Sequence, residues 1–353
     1  MKLNVIDLFS GCGGLSKGFE EAGFNILLGI DNDKDALATF EQNHHNSKAV
    51  NIDLSNKDFL KDINNIIDNN KVDVILAGPP CQGFSLTGPR NFDDPRNSLY
   101  LSVFKSVEYY RPKSFVIENV YGLMTMWKGK VFEEIKKKFS EELNYDVSST
   151  LINMADYGVP QLRKRVFIVG IDKALGKQFS FPLPSHNKNN YVSCEEALSD
   201  LPSRENDIGI NEEDFPSPPK TDYQKKIRNG LDKLFNHVGT EHKDFVKRII
   251  AMVPEGGNHK DLPEGVGTSR KFNEAWTRYH SKLPSKTIDT GHRNHFHYKW
   301  NRVPTVRENA RLQSFKDDFI FLGTKTRQNF QVGNAVPPLF AEILAKKIKA
   351  YIA

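Results

Sequence analysis

Two segments of the chain place a reactive side chain directly after an apolar run typical of a buried strand. Cys81 stands in Pro79-Pro80-Cys81-Gln82, just beyond the apolar run 72–77. The Pro-Pro pair fixes the backbone before the cysteine, and thiolate is the most nucleophilic ordinary side chain. Glu118 ends a second apolar run, 114–118. A carboxyl at a neighbouring strand end can hydrogen-bond to an atom on which charge develops during thiolate attack. Taken alone, Cys81 could also be a buried structural cysteine.

A glycine-rich turn and two acidic residues favour a nucleotide-like ligand. The first apolar run leads into Asp7-Leu8-Phe9-Ser10-Gly11-Cys12-Gly13-Gly14, which opens a helix. Glycines let the backbone approach a ligand, and a helix N-terminus supplies N–H groups and positive potential. Asp31 ends the second predicted strand, a position from which an acid bonds ribose hydroxyls, and Asp53 follows the third. Either acid alone could be a helix cap; together they predict an adenosine-containing cofactor.

The strands and helices that must position these residues alternate along the first 170 residues. Short apolar runs typical of strands are followed by longer stretches with helical spacing, as in a parallel sheet flanked by helices. Predicted strands are 4–8, 25–30, 48–51, 72–77, 114–118, 146–153 and 166–171, and predicted helices are 14–22, 34–43, 58–67, 98–110 and 130–142. The predicted fold class is therefore α/β, with a doubly wound and mostly parallel sheet. The last run could pair antiparallel with its predecessor.

The second half of the chain differs from the first in its residue composition. Residues 178–220 contain six prolines among polar residues, which is typical of linkers and irregular loops. Residues 222–252 regain helical spacing, and the tail predicts a helix over 306–315, a glycine turn at Gly333-Asn334 and a closing helix over 338–352. We therefore predict a catalytic and cofactor-binding domain over 1–181, a smaller irregular domain over 182–300 and a segment 301–353 that returns to the first domain.

The charge is unevenly distributed over the 353 residues. Residues 1–150 carry 17 Lys and Arg against 21 Asp and Glu, and residues 151–353 carry 32 against 23, for a total of +5. A basic excess on one region indicates a polyanionic partner. Apolar runs stay well below the roughly 18 residues of a membrane span, and Asp7 interrupts any signal-peptide core. These features predict a cytoplasmic protein without a membrane partner. Three scattered cysteines argue against a disulfide framework or a closed zinc site.

Six motifs together resemble those of the DNA (cytosine-5)-methyltransferase family, of the bacterial restriction-modification type, over nearly the whole chain. The segments 7–14, 79–82 and 118–120 resemble its cofactor, nucleophile and acid motifs, 161–165 matches its Gln-x-Arg-x-Arg motif, and 307–315 and 331–337 resemble its two C-terminal motifs. The motifs stand in the family's order, which makes the resemblance specific.

The resemblance implies a Rossmann-like fold that binds S-adenosylmethionine and transfers its methyl group to carbon 5 of a cytosine flipped out of a specific duplex sequence. It implies that Cys81 adds to carbon 6, that Glu118 holds N3, and that Arg163 and Arg165 donate to the base oxygen and a phosphate. The implied cofactor residues are Phe9, Cys12, Gly14, Asp31, Asn32, Asp53, Pro80, Asn334 and Val336. Asn32 departs from the family, which often has an apolar or aromatic residue there. Asn119 is expected to fix the backbone before Cys81, and residues 83–99 to close over DNA as a loop.

The smaller domain is implied to be the target-recognition domain that reads double-stranded DNA. Its candidate contacts to bases or phosphates are Lys271, Arg278, His280, His292, Arg293, His295 and His297. No metal is expected, because no Cys or acid completes the histidine spacing. A monomer is expected, with a cognate restriction endonuclease acting separately.

Three other functions fit parts of the sequence. A tRNA cytosine-5 methyltransferase would share the motifs, but the basic second half favours duplex DNA and the Cys-Phe-Thr signature of that branch is not in the sequence. A Rossmann-type oxidoreductase would explain the glycine turn but not the other motifs. An inactive DNA-binding protein would not need both Cys81 and Glu118.

Overall fold

The computed structural model describes residues 2–80, 98–266, 274–291 and 294–353. Seven of the described strands form one sheet: β1 (Asn4–Leu8), β2 (Asn25–Asp31), β3 (Lys48–Asn51), β4 (Val74–Ala77), β5 (Ser114–Val120), β6 (Tyr145–Asn153) and β7 (Lys164–Asp172). Their order across the sheet is β3-β2-β1-β4-β5-β7-β6. The first five are parallel, and β7 runs antiparallel to β5 and β6. The predicted α/β class with a mostly parallel sheet is confirmed, as is the antiparallel terminal pair.

The described helices follow the strands in the expected alternation. They are α1 (Gly14–Glu21), α2 (Lys34–Asn43), α3 (Phe59–Ile67), α4 (Ser98–Tyr110), α5 (Gly122–Thr125), α6 (Lys130–Glu141), α7 (Cys194–Leu198), α8 (Asp222–Arg228), α9 (Asp244–Met252), α10 (Val306–Leu312), α11 (Lys325–Asn334) and α12 (Pro338–Ile352). The apolar spacing explains the buried faces: α3 buries Phe59, Ile63 and Ile67, which recur at intervals of four residues. In the part of the chain that the structure describes, no helix is both long and apolar enough to cross a bilayer.

Close packing leaves no room for a side chain at two glycines that are not in turns. A Cβ on Gly170 of β7 would lie 2.1 Å from Cε1 of Phe115 on β5, so the phenyl ring occupies the space of a side chain. A Cβ on Gly18 of α1 would lie 2.3 Å from that of Ala341 on α12, which brings these two helices into direct contact. The ammonium group of Lys349 also donates to the carbonyl of Ala22 at the end of α1, at 2.9 Å.

The chain divides into two compact units. The first comprises Met1–Asn153, Lys164–Leu183 and Phe340–Ala353, and the second comprises Met154–Arg163 and Pro184–Leu339. Residues 301–339 thus pack with the second unit, whereas the predicted return segment began at 301. The predicted domains were defined by function, as chemistry and sequence reading, and those assignments stay predictions.

The second unit has little regular structure. Its described strands form two short pairs, β8 (Glu212–Asp214) with β9 (Lys233–Phe235), and β10 (Thr277–Arg278) with β11 (His295–Phe296). Ile250, Val253, Phe296 and Val303 form a small apolar cluster.

Two expectations for this half of the chain were wrong. The helical spacing over 222–252 is divided into α8 and α9 with β9 between them, because Asn229 and Gly230 adopt positive φ values of 49° and 80° and end α8. The glycine turn predicted at Gly333-Asn334 is instead the end of helix α11. A Cβ on Gly333 would lie 2.4 Å from the carbonyl oxygen of Asp289, so this glycine permits close packing and does not make a turn.

Candidate active site

The strand order brings the predicted reactive residues of the first unit to one edge of the sheet in a definite sequence. The carboxyl ends of β1, β2 and β3 carry the glycine turn and the two acids, β4 leads toward Cys81, and β5 and β7 carry Glu118 and Arg165. The order reverses between β1 and β4, which is where open α/β sheets bind ligands. Cys81 itself and most of the predicted loop 83–99 lie outside the described residues.

The glycine turn has a backbone that few residue types could adopt. Gly11 and Gly13 have φ values of 54° and 92°, and Phe9 has a φ of 60°, which is uncommon for a residue with a bulky side chain. A Cβ on Gly13 would lie 2.4 Å from Nε2 of His44, a buried side chain that the sequence did not single out. Within the described chain no side chain caps α1, and Gly13 is its N-cap residue.

Asp31 holds the glycine turn through backbone amides. One carboxylate oxygen accepts from the amide of Gly11 at 2.8 Å, and the other accepts from Asn32 at 2.8 Å and Asp33 at 2.9 Å. Burial raises the pKa of Asp31, and these hydrogen bonds partly offset the increase. Three amides use three of the roughly four acceptor sites of a carboxylate, which leaves room for one hydroxyl donor.

A second acid, Asp7, is buried beneath the turn. Its carboxylate accepts from the hydroxyl of Ser16 on α1 at 2.6 Å, which ties the end of β1 to the helix. Burial raises the pKa of Asp7 to about 7, and the charge of Asp31 adds to the increase. The sequence places Asp7 in the cofactor motif, but it gave no sign that this acid would be fully buried.

The other predicted cofactor residues of this unit differ in exposure. Asn32, Asp53 and Pro80 are exposed, Phe9 is half-buried, and Cys12 and Gly14 are buried. Asp53 accepts from the amide and hydroxyl of Ser55 at 2.9 and 2.7 Å, and these bonds lower its pKa. Burial raises the pKa of the Cys12 thiol to about 12, so this thiol is protonated at neutral pH.

Glu118 and Arg165 form an ion pair at the end of β5. Nε of Arg165 lies 3.0 Å from Oε1 of Glu118, and their side chains are only 15% and 12% exposed. The register explains the contact, because Arg165 lies opposite Val120, two residues beyond Glu118 on the same face. The predicted acid and one predicted arginine are thus brought together.

The backbone that leads to Cys81 is held from β5. The side-chain amide of Asn119 donates to the carbonyl of Pro79 at 2.9 Å, and its oxygen accepts from the amide of Val120 at 2.9 Å. A Cβ on Gly78 would lie 3.8 Å from Oε2 of Glu118. The segment 78–80 therefore runs beside the Glu118 carboxylate, and Asn119 makes the backbone contact expected of a supporting residue.

Arg163 has different surroundings from Arg165, although both belong to one motif. It is buried in the second unit, where its guanidinium donates to the carbonyls of Ile288 (3.3 Å), Gly333 (2.8 Å) and Ala335 (3.2 Å). We interpret Arg163 as a positioning residue for the end of α11; its predicted contact with the substrate stays a prediction.

A pair of buried glutamines extends this arrangement in the second unit. Gln161 accepts from the amide of Ile288 at 3.0 Å and bonds to the side chain of Gln313, which donates to the carbonyl of Ala335 at 2.5 Å. The segment they hold contains the predicted cofactor residues Asn334, which is exposed, and Val336, which is buried. Both glutamines stand in recognised motifs, but the sequence does not show that they bond to each other.

Several candidates for sequence reading are buried in the structure, and their contact with DNA stays a prediction. Arg278 donates to the carbonyl of Val253 and to the side chain of Asn301, both at 2.8 Å, so its guanidinium holds the backbone of its own unit. His295 and His297 are also buried, and burial lowers the pKa of His297 to about 3. His280 is partly exposed and faces Glu255 at 3.7 Å. The candidates Lys271, His292 and Arg293 lie outside the described residues.

The residues of the first unit fit an adenosine-containing cofactor with a charged tail. Asp31 has capacity for a ribose hydroxyl, and Gly11 and Gly13 keep the turn clear of side chains. The uncapped start of α1 offers N–H groups to a carboxylate. These are the donor and acceptor types that S-adenosylmethionine requires.

Comparisons with known proteins agree along the full length of the chain. The sequence profile of the family described as C-5 cytosine-specific DNA methylase matches residues 3–350. The Type II methyltransferase M.DdeI of Desulfomicrobium norvegicum is 37% identical over 99% of this chain and 89% of its own length. The Type II methyltransferase M1.HphI of Haemophilus parahaemolyticus is 39% identical over 99% of this chain and 87% of its own. A crystal structure from an E. coli prophage, assigned to DNA modification methyltransferases, has a TM-score of 0.80 at 29% identity and covers 99% of both chains.

Proposed function

The chain belongs to the C-5 cytosine-specific DNA methylase family, and from this premise we propose that it methylates cytosine within one specific duplex sequence as the modification enzyme of a Type II restriction-modification system. Its activity class is DNA (cytosine-5-)-methyltransferase. The restriction-modification system is inferred from the Type II methyltransferases to which the chain is similar. The observation that best supports this reaction is the ion pair between Glu118 on β5 and Arg165 on β7, whose charged atoms lie 3.0 Å apart. Strand β5 lies beside β4, which leads toward Cys81.

In the proposed reaction the Cys81 thiolate adds to carbon 6 of the flipped cytosine, which makes carbon 5 nucleophilic. Loss of the carbon 5 proton and of the thiolate follows methyl transfer and restores the aromatic ring. The base must leave the helix because stacked neighbours block both of its faces. Asn119 supports this step by holding the Pro79 carbonyl, and thereby the backbone that precedes Cys81.

Glu118 contacts N3 of the base in this proposal, where charge changes during the attack. Arg165 fixes the orientation of the carboxyl through Oε1 and directs its remaining donors to the base oxygen. A preorganised hydrogen bond at a developing charge contributes more in the transition state than in the ground state. The Glu118–Arg165 pair is therefore expected to increase the methylation rate more than the affinity for the duplex.

Enzymes of this family use S-adenosylmethionine, which supplies the methyl group when it is bound. We propose that the cofactor residues of this chain are those implied by the motifs: Phe9, Cys12, Gly14, Asp31, Asn32, Asp53, Pro80, Asn334 and Val336. Asp31 accepts a ribose hydroxyl and the start of α1 binds the carboxylate. Calorimetry with S-adenosylhomocysteine should show at least tenfold weaker binding for Asp31→Ala than for the parent.

We propose that residues 182–300 read the DNA sequence. Contacts to base edges determine which sequence is bound, whereas contacts to phosphates only position the protein on the duplex. Grafting 182–300 into a related enzyme should transfer the methylated sequence with it. A folded, active chimera that keeps the host's target would instead assign specificity to another part of the chain, such as 83–99.

Bisulfite sequencing of DNA from cells that express the protein tests the function directly. We expect every modified cytosine to lie in one short recurring sequence, and the Cys81→Ala variant should leave that DNA unmodified. Methylation of tRNA with unmodified DNA would favour the RNA-acting alternative. A monomer, a cytoplasmic location and a separate cognate endonuclease complete the proposal.

A further inference from the structure

Two exposed apolar side chains stand beside the Glu118–Arg165 pair. Val120 is 41% exposed and Tyr121 is 48% exposed, although β5 is buried from Ser114 to Ile117. The turn that carries them is anchored, because Leu123 is fully buried in the core and the amide of Met124 donates to the carbonyl of Tyr121 at 3.0 Å. Their exposure therefore belongs to a fixed turn, and covering this apolar surface would be favourable.

The sheet register places these residues on the substrate side of the site. Val120 lies opposite Arg165 in the β5–β7 pair, and it shares a face with Glu118 two residues earlier. In the sheet order, β5 and the strands that carry the cofactor acids lie on opposite sides of β4. Three strand spacings separate β5 from β2, or roughly 14 Å.

The charge of the adjoining segment indicates what covers this surface. Residues 121–130 contain Lys128 and Lys130 and no acidic residue, and both lysines are exposed. An exposed apolar and aromatic pair that is followed in the chain by two exposed cations fits a nucleic-acid strand, which presents sugar carbons and phosphate oxygens together.

We propose that Val120 and Tyr121 contact the target strand of the duplex, covering the sugar and phosphate of the nucleotide whose cytosine Glu118 holds. The Tyr121 ring packs on the sugar, and its hydroxyl donates to a phosphate oxygen. This inference rests on the proposed function, since it takes Glu118 to face the flipped base. It adds Tyr121, which lies outside the six motifs, and gives a substrate contact to Val120, the last residue of the acid motif.

The test uses the full-length protein and a duplex that carries the sequence found by bisulfite mapping. Tyr121→Ala should raise the Kd for this duplex about tenfold and Tyr121→Phe about threefold, with the affinity for S-adenosylhomocysteine unchanged. Because the contact is not ionic, the slope of log Kd against log salt should stay that of the parent. Tyr109→Ala is the matched control, because Tyr109 is 55% exposed and lies on α4 in the same unit.

A second measurement separates contact from folding. With 2-aminopurine in place of the target base, Tyr121→Ala should lower the fluorescence gain at saturating protein, because the flipped nucleotide loses a support. Equal duplex Kd for Tyr121→Ala and Tyr109→Ala would overturn the inference, as would a parallel loss of cofactor affinity. Absence of 5-methylcytosine in duplex DNA treated with the parent enzyme would instead contradict the proposed function.

Discussion

Nε of Arg165 and Oε1 of Glu118 lie 3.0 Å apart across a diagonal of the β5–β7 pair. Because the two strands are antiparallel, a residue of the Gln-x-Arg-x-Arg motif reaches the acid motif more than forty positions earlier in the chain. The contact requires the register Val120 opposite Arg165. A one-residue slip would turn Arg165 to the other face of the sheet.

Glu118→Gln should reduce the methylation rate by roughly 100-fold to 1000-fold while weakening duplex binding much less. The amide cannot supply the proton or the charge that the carboxyl provides as the ring becomes charged, so the loss falls on the transition state. Single-turnover kinetics with saturating duplex would measure it. Equal losses in rate and affinity would make Glu118 a simple binding residue.

Cys81→Ser should lose turnover but still bind S-adenosylhomocysteine with the parent's affinity. A serine hydroxyl is a far weaker nucleophile than a thiolate when no base activates it, whereas the proposed cofactor contacts lie mainly on other strand ends. Methylation assays and calorimetry on the same preparation give both readings. Turnover near the parental rate would remove Cys81 from its assigned role.

The two arginines of one motif should respond differently to the same change. Arg163→Lys should lower the free energy of unfolding by about 2 kcal/mol or more, since one ammonium cannot serve the carbonyls of Ile288, Gly333 and Ala335 together. Arg165→Lys should leave the unfolding midpoint nearly unchanged and lower the methylation rate. Denaturant titration and the methylation assay would be run on both variants. A stable Arg163→Lys together with a destabilised Arg165→Lys would contradict the roles given to the two arginines.

Gly170→Ala should destabilise the first unit by about 1–3 kcal/mol, because its Cβ would enter the ring of Phe115. Gly122→Ala is the control: its Cβ would meet the nearest atom, on Val120, at an ordinary 3.9 Å. Thermal unfolding of the two variants should show a lower midpoint for Gly170→Ala alone. Similar midpoints would mean that β5 and β7 can separate without cost.

Asp7→Asn should change how stability depends on pH. Burial raises the pKa of Asp7 to about 7 in the folded protein, against about 3.9 in an unfolded chain. Between these values the folded state holds a proton that the unfolded state releases, so the parent loses stability as pH rises from about 4 to about 7. The asparagine of the variant cannot ionise at position 7. The thermal midpoint of the variant minus that of the parent should therefore rise as the pH increases from about 4 to about 7. A constant difference would mean that Asp7 titrates normally.

The sequence predicted the first unit well because its signals are local. Apolar runs bounded by glycine or polar residues predicted β1 and β3, together with helices α2 and α4, at their observed bounds. The positions of Asp31 and Glu118 at strand ends followed from the same pattern. A parallel sheet then brings such ends to one edge, whatever the intervening sequence.

What the sequence could not predict depends on contacts between distant residues. The sequence predicted that Arg278 contacts bases or phosphates and that Arg163 donates to the substrate, but it did not predict that both are buried against backbone carbonyls. Gly333 looks like a turn residue, yet it packs against Asp289 within α11. Burial of a charged side chain depends on which carbonyls lie nearby, and spacing along the chain does not contain that information.

The packing of α1 on α12 has a consequence for synthesis in the cell. Lys349 and Ala22, which bond across this contact, are 327 positions apart, so the ribosome makes α1 long before it makes the partner. At the usual rate of about 5–20 residues per second, this delay is roughly 15–65 s. Throughout it, the face of α1 that contains Gly18 has no packing partner from α12. The nascent first unit therefore cannot complete this packing until the last helix emerges.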